Sequence, residues 1–144
     1  GGGVSSRLFQ SIREEKGLVY SIYSSVSSYP NIGDFVIYAA FNSEKKKQVL
    51  SEIQEQASLL MKKGISQKEI EQTKLQIKTG TVLSQESLQS RMIRNASHMI
   101  NYGRVIPFEE SLKMIDAVNE EEILRLAEEV FGGVPCISCV GMKG

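Results

Sequence analysis

At 144 residues, with 41% hydrophobic and 24% charged side chains, the chain is sized for one folded domain or a large piece of one. Its 17 basic residues balance 17 acidic ones, so there is no cationic excess to neutralise phosphates, which argues against nucleic acid as a partner. No apolar stretch reaches the roughly 18 to 20 residues of a membrane span, and no charged region followed by an apolar run marks a signal peptide, so no membrane partner is expected.

The opening Gly1-Gly2-Gly3, with no initiator Met, suggests a fragment of a longer chain. A phosphate-loop reading of these glycines lacks the Lys-Ser/Thr pair and the preceding strand that such a loop requires. Ser5 or Ser6 can cap a helix running to about Lys16, with Leu8, Phe9 and Ile12 on one face. Gly17 stands where a left-handed residue commonly closes a helix. Residues 18–28 alternate and are rich in Val, Ile and Tyr, which predicts a strand. Residues 30–33, Pro-Asn-Ile-Gly, form a turn by composition, and 34–41 predict a second strand. The two pair as an antiparallel hairpin with a four- or five-residue loop.

From Ser43 the apolar spacing changes to three and four. Val49, Leu50, Ile53, Ala57, Leu60 and Met61 predict a helix to about Lys63, closed by Gly64. The run Lys45-Lys46-Lys47 reads as a solvated face of that helix. Ser66-Gln67-Lys68-Glu69 is a capping box opening a long helical stretch over 67–102, with interruptions expected at Gly80 and at 84–87. Pro107 opens a short helix to about Val118. Asn119-Glu120-Glu121-Glu122 repeats the capping-box form and starts another, ending near Phe131 and Gly132. Residues 136–142 predict a last strand. The fold class is therefore α+β, an antiparallel sheet with helices packed on one face, and residues 1–144 read as a single partial domain. Three strands are few for a sheet, which suggests that a strand is missing or supplied by a partner.

Chemistry-bearing motifs are sparse. Cys136 and Cys139, i and i+3 on a strand, would point to opposite faces about 10 Å apart along it, too far for a disulfide. They read as two small buried apolar side chains, and two thiols without a disulfide framework suit a reducing, bacterial cytoplasmic setting. His98 is the one histidine, has no carboxylate near it in sequence, and reads as structural. There is no H-x-x-E-H, H-E-x-x-H or G-x-S-x-G, so the chain carries no complete catalytic constellation and no metal site of its own.

The informative segment is residues 1–24, GGGVSSRLFQSIREEKGLVYSIYS. Arg13 falls on the last turns of the first helix and Tyr20 early on the returning strand. Reversal at Gly17 can bring both to one side of the junction. A forked guanidinium and a phenol are good ligands for a peptide carbonyl. The alternative is that Arg13 pairs with Glu14 or Glu15 and Tyr20 merely packs.

This block resembles the second-half signature of the mitochondrial-processing-peptidase and pitrilysin superfamily of zinc metallopeptidases, the inverzincins. The resemblance continues through 34–41, Ser90-Arg91-Met92 and Ile115-Asp116-Ala117-Val118, and so covers the whole chain. It implies two homologous halves enclosing a peptide chamber. The first half carries H-x-x-E-H and zinc. The second supplies an Arg and a Tyr seven residues apart, the spacing of Arg13 and Tyr20, as substrate-binding groups. By the same resemblance this chain is the C-terminal, non-zinc portion of a zinc endopeptidase, lacking the first strand and helix of its half. The chain alone is then not catalytic, and zinc belongs to the full-length enzyme. Its partners would be a peptide substrate and the zinc-binding half, on the same or a separate chain, with a homodimer as a further option. The alternative within the family is a non-catalytic binding or structural subunit.

Overall fold

A computed structural model describes residues 3–29 and 31–141. The expectations placed on Gly1, Gly2, Pro30 and Met142 lie outside these described residues. They group into two compact units, one within Gly1–Lys63 and Arg125–Gly144 and the other Gly64–Leu124.

The first unit opens with Ser6, whose hydroxyl accepts the Phe9 N–H at 3.3 Å and so caps the first turn as its residue type predicts. The helix does not continue in the expected α form. Over Phe9–Glu15 it is π-wound, and only Ile12 of that segment is buried. Gly17 follows at φ +57, in the left-handed region, and the wider turn lets the Leu18 N–H reach back to the Ile12 carbonyl at 3.0 Å.

Strands β1 (Ser21–Tyr29) and β2 (Ile32–Ala40) form an antiparallel hairpin. Its register runs from Ser21 opposite Ala40 to Tyr29 opposite Ile32. The loop is thus two residues rather than four or five, because pairing persists through Ser28–Gly33 and Tyr29–Ile32. Leu18 and Val19 precede the strand as buried core residues. Sheet alternation sends Ile22, Ile37 and Ala39 to one face. There they join Ile12, Leu18, Val19 and Val49, with Phe41 and Ile53 packed against the cluster. Phe35, on the same face, meets the edge of Phe131 at 5.2 Å. The opposite face carries Tyr23 stacked on Tyr38 at 5.0 Å and stays exposed. Helix packing on one sheet face therefore holds.

A short 3₁₀ turn, Ser43–Lys45, leads into α1 (Lys46–Lys63). Asn42 rather than Ser43 caps it, accepting the Glu44 N–H at 3.2 Å. Val49 buries the inner face of α1. Two polar ties fasten α1 to the first helix: Gln56 Nε2 donates to Ser11 at 3.0 Å, and Lys16 pairs with Glu52.

The second unit holds α2 (Gln67–Ser84), α3 (Leu88–Tyr102) and α4 (Phe108–Ala117). Ser66 and Glu69 form the expected capping box. Gly80 lies inside α2 without interrupting it, since one glycine costs only about 1 kcal/mol in a helix interior. The break comes at 85–87, where Ser87 recaps the chain by accepting the Ser90 N–H at 3.2 Å. Helices α2 and α4 pack together, with Lys74 Nζ donating to the Asp116 carbonyl at 2.7 Å and Lys78 pairing with Asp116. His98 fastens the loop after α3, its Nδ1 accepting the Ile106 N–H at 3.2 Å, as a structural histidine should.

Helix α5 (Glu120–Phe131) starts at the capping box of Asn119 and Glu122, and the boundary between the units falls within it. Beyond it, the strand expected over 136–142 is not formed across 136–141. A strand exists only as part of a ladder, and among the described residues β1 and β2 are paired with each other alone. Val134 and Val140 are 99% and 94% exposed. Cys136 and Cys139 are likewise exposed rather than buried, because the unpaired segment leaves them uncovered.

Candidate functional site

Three local facts build the junction between the first helix and β1. Gly17 reverses the chain at positive φ, at no steric cost. Leu18 and Val19 then anchor it by burial. Finally, the Tyr20 N–H donates to the Ala40 carbonyl at 2.7 Å and fixes the entry to the sheet. Lys45, read from sequence as part of a solvated face, has a specific task here. Its Nζ donates to the Gly17 carbonyl at 3.0 Å and satisfies a backbone group that the reversal leaves free.

Arg13 and Tyr20 stand on the two sides of this reversal, and both are exposed. The Arg13 guanidinium lies over the Phe9 ring, 4.7 Å from its centroid, and makes no ion pair with Glu14 or Glu15 among the described residues. Stacking uses the face of the guanidinium and leaves its N–H edge to solvent. Tyr20 is 71% exposed. Among the described residues no hydrogen bond joins Arg13 to Tyr20. What the fold provides is two donor side chains on either side of a hydrogen-bonded backbone turn, neither with an internal hydrogen bond or ion pair among the described residues.

At Tyr20 lies a shallow recess of roughly 140 Å³, lined by Gly17, Leu18, Val19, Tyr20, Asn42 and Lys45; Arg13 is not part of its lining. Asn42 and Lys45 were not legible as site residues. They reach the recess through the pairing of β1 with β2, a long-range consequence of register that no local motif announces.

Nothing among the described residues fits zinc. No group of three or more His, Cys, Asp or Glu is placed to hold a metal ion. The His98 Nδ1 is occupied by the Ile106 N–H, so no metal-dependent step is assigned to these residues. No helix among them is long and apolar enough to cross a membrane.

Residues 1–77 match the family described as "Peptidase M16 inactive domain". A protein named as the uncharacterized zinc protease YmxG of Bacillus subtilis is 40% identical over 131 residues, covering 91% of this chain and 32% of its own. A zinc protease of Mycobacterium bovis is 35% identical over 130 residues, 90% of this chain and 30% of its own. The chain thus spans about a third of the length of the curated relatives it matches. Among solved structures, a conserved protein from Enterococcus faecalis superposes with TM-score 0.76 at 26% identity, over 89% of this chain and 30% of that one. A peptidase M16 inactive domain from Pseudomonas fluorescens gives 0.74 at 22% identity, over 90% and 31%, and speaks to the fold alone. With a family match over residues 1–77, more than half of its length, the chain belongs to the peptidase M16 family, within the portion described as inactive.

Proposed function

We propose that these residues form the substrate-binding C-terminal part of a zinc-dependent endopeptidase, which cleaves peptides in a chamber closed by a zinc-bearing half outside this chain. The observation that carries the reading is the pair Arg13 and Tyr20, exposed on either side of the Gly17 reversal with their donors uncommitted. The family membership, and relatives named as zinc proteases, support the activity of the whole protein.

In this account neither residue is a nucleophile or a base. Arg13, held over Phe9, offers forked N–H donors to a backbone carbonyl of the bound peptide and fixes its register. Tyr20 donates its phenolic proton as a hydrogen bond to the oxygen on which charge develops at the scissile carbonyl. Such donors are effective because their positions are set before substrate arrives, which is what the reversal, the Lys45 tie and the Tyr20–Ala40 backbone bond supply.

In the full-length protein, Arg13→Ala or Tyr20→Phe is expected to lower kcat/KM for peptide cleavage by about ten- to a thousandfold, on the scale of one lost oxyanion donor. Circular dichroism and melting should stay unchanged, since both side chains are exposed. Unaltered cleavage in both variants overturns the assignment.

A further inference from the structure

The recess at Tyr20 has a one-sided chemistry. Three of the residues that line it, Tyr20, Asn42 and Lys45, carry polar side chains, and none of the lining residues is acidic. Among them Lys45 brings the only charge. A lysine on an exposed surface ordinarily sweeps a wide volume, because its stem has four rotatable bonds. Here the Lys45 Nζ donates to the Gly17 carbonyl at 3.0 Å, a bond between residues 28 apart in sequence. That bond holds the ammonium at the wall of the recess and uses one of its three N–H groups, leaving two. Lys45 makes no ion pair among the described residues.

Asn42 adds neutral donors. Its Oδ1 caps the 3₁₀ turn by accepting the Glu44 N–H at 3.2 Å, which assigns the other end of the amide as Nδ2. That nitrogen has no hydrogen-bond partner among the described residues. A tethered ammonium beside amide and phenol donors, with no acid in the lining, suits a ligand that is anionic and accepts hydrogen bonds. At about 30 Å³ per water, a recess of roughly 140 Å³ holds about four or five waters, the size of a carboxylate on a short aliphatic stem. In a peptide that group is the side chain of Asp or Glu. Tyr20 lines the recess and, in the proposed function, also donates to the scissile carbonyl oxygen. An extended peptide advances about 3.3 Å per residue, so the acidic side chain falls within about two residues of the scissile bond.

We propose that this recess is a specificity subsite for the carboxylate of an Asp or Glu side chain flanking the scissile bond, with Lys45 as the residue that selects its charge. The inference rests on the proposed function, in that Tyr20 faces the scissile carbonyl.

Full-length protein is given pairs of peptides in one tube, identical except for Glu or Gln at each position in turn within two residues of the cleaved bond. Mass spectrometry reads the ratio of their kcat/KM values. At one position Glu should be preferred by about fivefold, the scale of one partly exposed charge pair. Lys45→Gln should abolish the preference. Asn42→Asp keeps a cap acceptor and the Lys45 bond but sets an acid in the lining, and should abolish or reverse it. Lys47→Gln, outside the lining, should leave the ratio as in the parent. No preference for Glu at any of these positions overturns the proposal, as does a preference that survives either Lys45→Gln or Asn42→Asp. A preference lost on amidating the peptide C-terminus gives the recess to a chain end and overturns it equally. Arg13→Ala and Tyr20→Phe act on both peptides of a pair, so the ratio is blind to them. Failure of the subsite therefore leaves the proposed function standing, whereas unaltered cleavage in those two variants strikes the proposed function itself.

Discussion

At the scale of single residues, the helix–strand junction depends on Gly17. Its φ of +57 is required by the reversal, yet a Cβ there would meet nothing within 4 Å. The whole cost of Gly17→Ala is therefore backbone strain, about 1 kcal/mol by denaturant unfolding of the full-length protein. Gly17→Asn, better suited to the left-handed region, should lose less. Equal losses would mean that the position is not held left-handed. Gly132 makes the contrast, since a Cβ there would sit 2.5 Å from the Glu128 carbonyl, a steric rather than a conformational demand. Gly17 was legible in the sequence as a helix terminator. The choice of Phe9 over Glu14 or Glu15 by Arg13 was not, because on an exposed surface these contacts differ by less than about 1 kcal/mol and local spacing permits all of them. The buried, unpartnered nitrogens of Arg94 yield another expectation: Arg94→Met keeps the packing stem and removes a desolvated charge. Thermal midpoints should show no loss of stability, and a clear loss would contradict the reading that this edge is unpartnered.

At the scale of elements, caps were the most legible feature, because a cap is a local hydrogen-bond requirement written in adjacent residues. Both capping boxes stand where their sequences put them, and Asn119→Ala should cost about 1 kcal/mol through the lost Glu122 N–H acceptor. The loop that follows α3 ends in the pair Arg104–Glu110, with Nη1 to Oε2 at 2.9 Å. The hydrogen bond from Arg104 holds the Glu110 carboxyl below its ordinary 4.5. A depressed carboxylate stabilises the fold above its unfolded pKa and loses that contribution as pH falls through the folded one. The gap in melting temperature between the parent and Glu110→Gln should therefore be full above the ordinary carboxylate range and close as pH falls below it. It should be small throughout, because the pair is exposed. A gap that widens on acidification contradicts the assignment. Strands were less legible than caps. Periodicity found β1 and β2 but missed how far their pairing runs toward the turn, and it placed a strand over 136–142, where none is paired across 136–141. Apolar alternation states that a segment can join a sheet. It does not state that a neighbour is there to receive it.

At the scale of the whole molecule, the α+β class and the one-faced packing of helices followed from the order of patterns, and the core of Ile12, Leu18, Val19, Ile22 and Val49 fell where amphipathic faces met. The exposure of α3, the bare Tyr23–Tyr38 face and the uncovered 134–140 segment were not foreseeable. Each depends on what lies opposite, and these 144 residues correspond to about a third of the relatives they match. The candidate site was legible only as a motif. Its physical content, two uncommitted donors flanking a hydrogen-bonded reversal and a recess at Tyr20 that includes Asn42 and Lys45, needed the register of the hairpin. The most direct test of that content is where a bound peptide touches. A peptide substrate carrying a photoreactive group at its scissile position, cross-linked to full-length protein and mapped by mass spectrometry after digestion, should leave adducts on the segment between Ile12 and Ser21, weakened in Arg13→Ala and Tyr20→Phe. Adducts confined to other parts of the protein, with that segment unmodified, would contradict the account.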